Sequence, residues 1–370
     1  MSSALERICI IGSGNWGSTI AKIIGNNVSK NLEKFDPKIK MWVFEEMVEG
    51  KKLTEIINTE HVNVKYLPGI KLPENVRADP DLVSAVKDAT LLVFVIPHQF
   101  VKRSCETIRG HLHKNARAIS LIKGVDASSK GISLISDLIA STLSIDVCVM
   151  MGANIANEVS KEQFCESTIG YRDAGNAAIF KLVMETNYFL INCVPDVEGV
   201  ELCGALKNVV AVAAGLVDGL GFGENTKAAI IRIGLVEMKR FSSIFRFLST
   251  SEPAAEDQPS NWETYFESCG VADLITTCFG GRNRRISELF VASGKSFEQL
   301  EVEHLNGQKL QGPSTSKEVY EILNAKNLTT KFPLFTLVYK VAYEGFPPSQ
   351  MFEVLSSYAM DEYHHIAHKL

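Results

Sequence analysis

Through its first 195 residues the chain alternates short apolar, β-branched runs with segments of helical period, and this restricts the fold more than any other feature. Runs at Arg7–Ile11, Ile39–Phe44, Leu91–Ile96, Ala118–Ile122 and Val147–Met151 read as strands. Between them, helical patterns lie near Trp16–Val28, Lys51–Asn58, Leu82–Lys87, Gln99–Leu112 and Ile132–Leu143. Strands apolar at successive positions are buried on both faces, which predicts a parallel sheet covered by helices on each side. Right-handed crossovers then make the sheet doubly wound. Thr168–Tyr171 and Phe189–Cys193 are two more strand-like runs that extend it. Beyond Pro195 helical periods dominate and convincing strands cease. The expected architecture is therefore an α/β, Rossmann-type domain over residues 1–195 followed by an all-helical domain over residues 196–370. Within the latter, Thr250–Asn261 carries two prolines and few apolar residues, which reads as an exposed loop.

A length of 370 residues suits two domains, and 46% hydrophobic residues suffice for substantial cores. The net charge of -5 argues against a nucleic acid or anionic membrane held by bulk electrostatics, so an anionic ligand needs a local basic cluster. Eight scattered cysteines form no C-x-x-C pair and no zinc-spaced set with histidine, which points to a reducing compartment and no metal. The first strand begins too early to leave room for an apolar signal core, so a cytoplasmic protein is expected. The terminal His368-Lys369-Leu370 is similar to a peroxisomal tripeptide but lacks its serine, leaving peroxisomal import as the alternative.

Gly12-Ser13-Gly14-Asn15-Trp16-Gly17 follows the first strand directly and opens the first helix. In G-x-G-x-x-G the first glycine permits a tight turn and the second lets backbone approach a pyrophosphate. The third lets helix and strand pack closely, while the helix N-terminus supplies N–H donors. Strand and helix on either side turn a weak motif into a dinucleotide site. After the second strand, Glu45 and Glu46 favour NAD over NADP, because an acid there accepts from ribose hydroxyls and repels a 2′-phosphate. Alternatively Phe44 makes the adenine-side contact and both glutamates are solvated.

Val200–Gly215 reads as a helix apolar almost all round, with Lys207 in its middle. Desolvation pushes an ammonium toward the range of a general base, and oxidising an alcohol requires a base for the hydroxyl proton. The competing reading is a structural lysine that pairs with Glu201. Asp273, flanked by apolar residues, is the acid suited to hold Lys207; otherwise it is a helix N-cap. Gly280-Gly281-Arg282-Asn283-Arg284-Arg285 gathers three guanidinium groups behind two glycines, a grip for phosphate, with Arg284 and Arg285 the more plausible surface residues. Lys123 closes a strand where open α/β sheets bind ligands.

Together these blocks resemble the eukaryotic NAD-dependent glycerol-3-phosphate dehydrogenases over nearly the whole chain. The specific stretches include MWVFEE at 41–46, KYLPGIKLP at 65–73, SLIKGVD at 120–126, MGANIANEV at 151–159 and ELCGALKNVVAVAAG at 201–215. GLGFGENTKAA at 219–229, GVADLITTCFGGRNR at 270–284 and LNGQKLQGP at 305–313 belong with them. The resemblance implies catalysis in a cleft between the domains, with Lys207 transferring the proton. It implies that Lys123, Asn154, Asp273 and Thr277 line the reaction centre, and that Arg282 and Asn283 contact a three-carbon phosphorylated substrate. For NAD it implies the glycine turn, Phe44, Phe100, Lys123, Ala156, Arg282, Lys309 and Gln311, and it implies a homodimer. Phe245–Asn261 is longer than the family pattern. Two other readings are a catalytically silent NAD-binding sensor and a related dehydrogenase acting on a hydroxy acid.

Overall fold

The computed structural model describes residues 5–128, 131–248, 262–305 and 307–357, with side chains given for all of these but 125–132 and 246–248. The expected loop at Thr250–Asn261 and the terminal tripeptide His368-Lys369-Leu370 lie outside the described residues. Met1–Asp126, Ser133–Glu201 and Glu267–Cys269 form one compact unit, and Ala127–Ile132, Leu202–Phe266 and Gly270–Leu370 form a second.

The first unit is built on eight strands: β1 (Ile8–Ile11), β2 (Ile39–Trp42), β3 (Val76–Asp79), β4 (Leu91–Phe94), β5 (Arg117–Ser120), β6 (Val147–Met151), β7 (Cys165–Gly170) and β8 (Phe189–Val194). They lie in the order β3-β2-β1-β4-β5-β6-β7-β8. The order reverses between β1 and β4, where Ile8 is level with Leu91 and Ile11 with Phe94. Such a reversal opens a crevice at the carboxyl ends of the strands. Successive side chains of β1 point to opposite faces and seed two cores. Ile8 and Ile10 pack with Ile20, Ile23 and Ile24 of helix α1 (Asn15–Val28), whereas Cys9 and Ile11 pack with Val101, Cys105 and Ile139.

The sheet departs from the sequence-based expectation in three ways. First, it is not wholly parallel: β7 runs antiparallel to β6, with Val149 opposite Gly170, and β8 runs parallel to β7. Second, β3 was not expected. Its sequence, Val-Arg-Ala-Asp, offers only two apolar residues, because an edge strand needs apolar side chains on one face alone. Third, three of the helices that flank it begin later than their periodicity suggests. Met47–Val48 pairs with Lys51–Lys52 across Glu49 and Gly50, both at positive φ, so the helix starts at Leu53 and runs to Glu60. Two residues at positive φ make the tight turn that matches the twist of a hairpin. Gly131–Leu134 is likewise extended, and its helix is Ile135–Leu143. The segment expected as Gln99–Leu112 is a single 3₁₀ turn, His98–Phe100, followed by the helix Val101–Ile108.

Every element described beyond Val197 is helical, as expected. Helix α2 (Val197–Gly219) is buried from Val200 through Val217 with no exposed face. It is long and apolar enough to cross a membrane, yet its apolar window lies wholly inside the protein, the mark of a core helix. Helix α3 (Glu224–Leu248) follows, then α4 (Asp273–Gly280) and α5 (Arg282–Ser293). The buried carboxylate of Glu237 on α3 accepts from the backbone N–H of Leu334 at 2.7 Å and of Phe335 at 3.0 Å. It thereby satisfies two of the orphan donors at the start of the helix Pro333–Tyr343.

Candidate functional site

In the first unit the glycine turn joins β1 to α1 at the crevice. Gly12 adopts φ 121°, and a Cβ there would lie 2.5 Å from the Val95 carbonyl oxygen; a Cβ on Gly17 would lie 2.4 Å from that of Gly12. Only hydrogen fits at either position. Gly14 is different: it is the N-cap of α1, and a Cβ there meets nothing within 4 Å. No side chain caps this helix, so its first N–H groups are left for an anion. The turn is closed on itself by Asn63, whose amide donates to the Ser13 carbonyl at 2.8 Å and to Ser18 Oγ at 2.9 Å. These features fit the pyrophosphate of a dinucleotide, with room at the second glycine and none at the first and third.

The other cofactor candidates of this unit follow the carboxyl ends of its strands. Asn15 donates to Asn157 Oδ1 at 2.9 Å, and Thr19 Oγ1 donates to the Ala156 carbonyl at 3.3 Å, tying the start of α1 to the short helix Ala156–Val159. Phe44 follows β2 and is 70% exposed; Phe100 follows β4 and is 51% exposed. Glu45 and Glu46, read from sequence as ribose acceptors, are both engaged within the protein. Glu45 accepts from Thr54 Oγ1 at 2.6 Å and from its backbone N–H at 3.2 Å, at the start of the helix Leu53–Glu60. Glu46 accepts from Lys65 Nζ at 2.6 Å and Tyr66 Oη at 2.8 Å, and the lysine contact holds its carboxyl below the usual range. Neither glutamate is merely solvated, contrary to the alternative with Phe44 as the adenine-side contact. Lys123 reaches the Gly152 carbonyl at 3.4 Å. Asn154 donates to the Glu166 carbonyl at 2.9 Å and accepts from Ser167 Oγ at 3.1 Å, so its amide is held from both ends.

In the second unit three candidates converge. Lys207 is 4% exposed and Asp273 2%. Lys207 Nζ donates to Asp273 Oδ1, and also to Thr277 Oγ1 at 2.8 Å. Asp273 and Thr277 are four residues apart on α4, one above the other on a single face. The Thr277 hydroxyl donates its proton to the Asp273 carbonyl at 2.7 Å, which turns an oxygen lone pair toward the lysine. Asp273 is not at the N-cap position: it is the first residue of α4, directly after the π turn Ser268–Ala272, and the cap is Ala272. Nor does Glu201 pair with Lys207, because its carboxylate accepts from the Ser136 N–H at 3.1 Å and from the Ser136 hydroxyl. Cys278 adjoins this group, but burial pushes its thiol up to about 12 despite the pull of Lys207, which rules out a thiolate nucleophile.

Asn283 is buried, and its amide is anchored inside the protein: Nδ2 donates to Asn208 Oδ1 at 2.9 Å, and Oδ1 accepts from the Gly312 N–H at 2.9 Å. Asn208 also donates to Gln311 Oε1 at 3.3 Å. Arg282, exposed at the first position of α5, donates to Gln308 Oε1 at 3.0 Å. Lys309 instead turns its ammonium to Glu301 at 2.8 Å. Arg284 is half-buried rather than a surface residue and pairs with Asp218, while Arg285 is exposed as expected. Asn208 and Gln308 were missed from sequence. Asn208 carried the same signal as Lys207, a polar residue inside an apolar helix; Gln308 lay in a polar stretch and carried none.

Two family models cover most of the chain: the NAD-dependent glycerol-3-phosphate dehydrogenase N-terminus over residues 7–177 and its C-terminus over residues 196–353. The chain is 59% identical over 352 residues to glycerol-3-phosphate dehydrogenase 1-like protein of Xenopus tropicalis, covering 95% of this chain and 97% of that one. It is 57% identical over 355 residues to the human cytoplasmic glycerol-3-phosphate dehydrogenase [NAD(+)], covering 96% and 99%. Its fold is similar to the solved structure of glycerol-3-phosphate dehydrogenase from Saccharomyces cerevisiae, with a TM-score of 0.87, 45% identity, and coverage of 95% of this chain and 99% of that one. The chain therefore belongs to the NAD-dependent glycerol-3-phosphate dehydrogenase family.

Proposed function

We propose that this enzyme interconverts sn-glycerol 3-phosphate and dihydroxyacetone phosphate, with Lys207 as the group that moves the proton. The buried contact of Lys207 with Asp273 and Thr277 is the observation that carries this reading. NAD, bound along the glycine turn, supplies the acceptor for the hydride of the secondary alcohol. Gly12–Gly17 and the start of α1 hold its pyrophosphate, Phe44 and Phe100 offer flat apolar faces, and Ala156, Lys123, Arg282, Lys309 and Gln311 complete its contacts. Residues 1–195 serve as the dinucleotide-binding domain and residues 196–370 as the substrate domain.

The substrate phosphate sits at the N-terminus of α5, whose cap, Gly281, offers no side-chain bond. There the backbone N–H groups and the Arg282 guanidinium grip it. The Asn283 amide anchors this turn through Asn208 and Gly312, and its second Nδ2 proton serves the phosphate. With the phosphate so placed, the secondary hydroxyl gives its proton to Lys207 Nζ as an amine. In the reverse direction the ammonium polarises the carbonyl and returns the proton. Asp273 stabilises the ammonium, Thr277 fixes its direction, and Lys123 and Asn154 position substrate. The relatives named cytoplasmic support a cytoplasmic place for this chain, which we take to act as a homodimer. The intact Lys207–Asp273–Thr277 group is not what a silent sensor needs.

The test is NAD reduction by the purified protein with glycerol 3-phosphate, beside Lys207→Ala, with NADP and unphosphorylated glycerol as controls. The wild type turns over only the phosphate ester with NAD, and the variant loses about 10²–10⁴-fold in kcat, the usual worth of a positioned acid–base group. Turnover that survives the substitution overturns the role of Lys207. No turnover by the wild type in either direction overturns the function.

A further inference from the structure

Eleven residues beyond Lys207, or about three turns and 16 Å along α2, the chain places Asp218 on the same face of the helix. Its carboxylate is a node. Lys227 Nζ on α3 reaches both oxygens, at 3.0 and 2.8 Å, and Arg284 Nε on α5 donates to one of them. Lys227 is buried, and its ammonium lies 4.4 Å from the ring centroid of Phe279 at the end of α4. Arg284 is held a second time by Glu288, at 2.9 Å, one turn further along α5. Four helices thus meet at one ion cluster, directly behind the Gly280–Asn283 turn. The α2 backbone closes the same joint: a Cβ on Gly215 would lie 2.2 Å from the Arg284 carbonyl oxygen, and one on Gly219 would lie 2.8 Å from that of Glu288. The start of α5 therefore rests on bare backbone at Gly215 and is steered by charge at Asp218.

None of these groups belongs to the proton-transfer or cofactor machinery, and a buried cluster of this kind is not needed for stability alone. Apolar residues of similar volume hold helices together at least as well. What such a cluster adds is direction. We propose that Asp218, with Lys227, is a positioning pair that sets the angle at which α5 presents Arg282 and its first N–H groups to the substrate phosphate. The proposal rests on the phosphate-binding reading above. It makes the aim of the ester-gripping groups depend on a contact one helix removed from the ester itself.

The experiment compares D218N, K227M and the milder R284K with the wild type, measuring KM for glycerol 3-phosphate, KM for NAD, kcat and thermal midpoint. A misplacement of ~1 Å can cost up to about a hundredfold, so a small tilt of α5 is expected to raise KM for glycerol 3-phosphate roughly tenfold in D218N and K227M. KM for NAD stays within about twofold, and the double variant is no worse than either single one, because both break one node. R284K keeps the charge and the fold but loses the Nε contact, and it moves the same constant in the same direction by less. Equal losses in both KM values, or lowered thermal midpoints with unchanged KM, overturn the proposal in favour of a structural cluster. A KM for glycerol 3-phosphate that falls in D218N also overturns it, since the carboxylate would then act only as a repelling charge. If the wild type itself does not turn over glycerol 3-phosphate, the functional reading fails first and this proposal with it.

Discussion

Glu201, six residues before Lys207, is a wholly buried carboxyl whose partners are the N–H and hydroxyl of Ser136 at the start of the helix Ile135–Leu143. Burial pushes it from an ordinary 4.5 up to about 7, against the pull of those two hydrogen bonds. The unfolded chain ionises this group above pH 4.5, while the folded protein keeps its proton until about pH 7. Stability must therefore fall as pH rises through that window and level off above it. At roughly 1.4 kcal/mol per pH unit the full penalty is about 3 kcal/mol. Glu201→Gln keeps the shape and can still accept from the Ser136 N–H, but it has no proton to lose. Denaturation midpoints of wild type and variant, measured from pH 4.5 to 8, should coincide at the acid end. They should then separate steadily until the variant leads by up to about 3 kcal/mol above pH 7. A gap that is constant across pH, or a variant that is weaker at pH 8, would refute the argument that burial governs this carboxyl.

Two more substitutions bear on the site. Gly14→Ala places its methyl in open space, so its thermal midpoint should match the wild type while its Kd for NAD, read by titration calorimetry, rises about tenfold or more as the methyl fills the cradle. Gly12→Ala, by contrast, should fail in folding as well as in binding, because its methyl meets the Val95 carbonyl. Asp273→Asn leaves the Lys207 ammonium buried without its carboxylate, which costs about 3–5 kcal/mol in chemical denaturation at pH 7. A cost near zero would mean that water or another group takes up that charge.

How the site could be read from sequence followed the strength of local signals. Lys207 stood out because charge inside an apolar helix violates its surroundings, and burial at 4% bears that out. Its partner was legible too: Asp273, 66 residues along the chain and flanked by apolar residues, was the acid read from sequence, while Glu201, the competing acid on the same helix, turns to Ser136. The partners of Glu45 and Glu46, by contrast, were hidden. The place of these two glutamates after β2 is the usual one for a ribose acceptor, but Thr54, Lys65 and Tyr66 fold back onto them. β3 escaped notice because an edge strand needs few apolar residues.

By itself, then, the sequence determined whatever depends on period and steric fit along a single stretch of chain. Alternating apolar runs make the doubly wound sheet, the glycines at 12 and 17 admit no Cβ, and an apolar 23-residue helix must be a core element. Apart from Asp273 on Lys207, which polar side chains meet was decided only by tertiary structure: Thr277 on Lys207, Asn208 on Asn283, Asp218 on Lys227 and Arg284. A hydrogen bond or ion pair is specific to a few tenths of an ångström, whereas hydrophobic burial is not directional. Chain pattern can announce burial, but it carries no record of which distant donor will face which acceptor once the helices have packed.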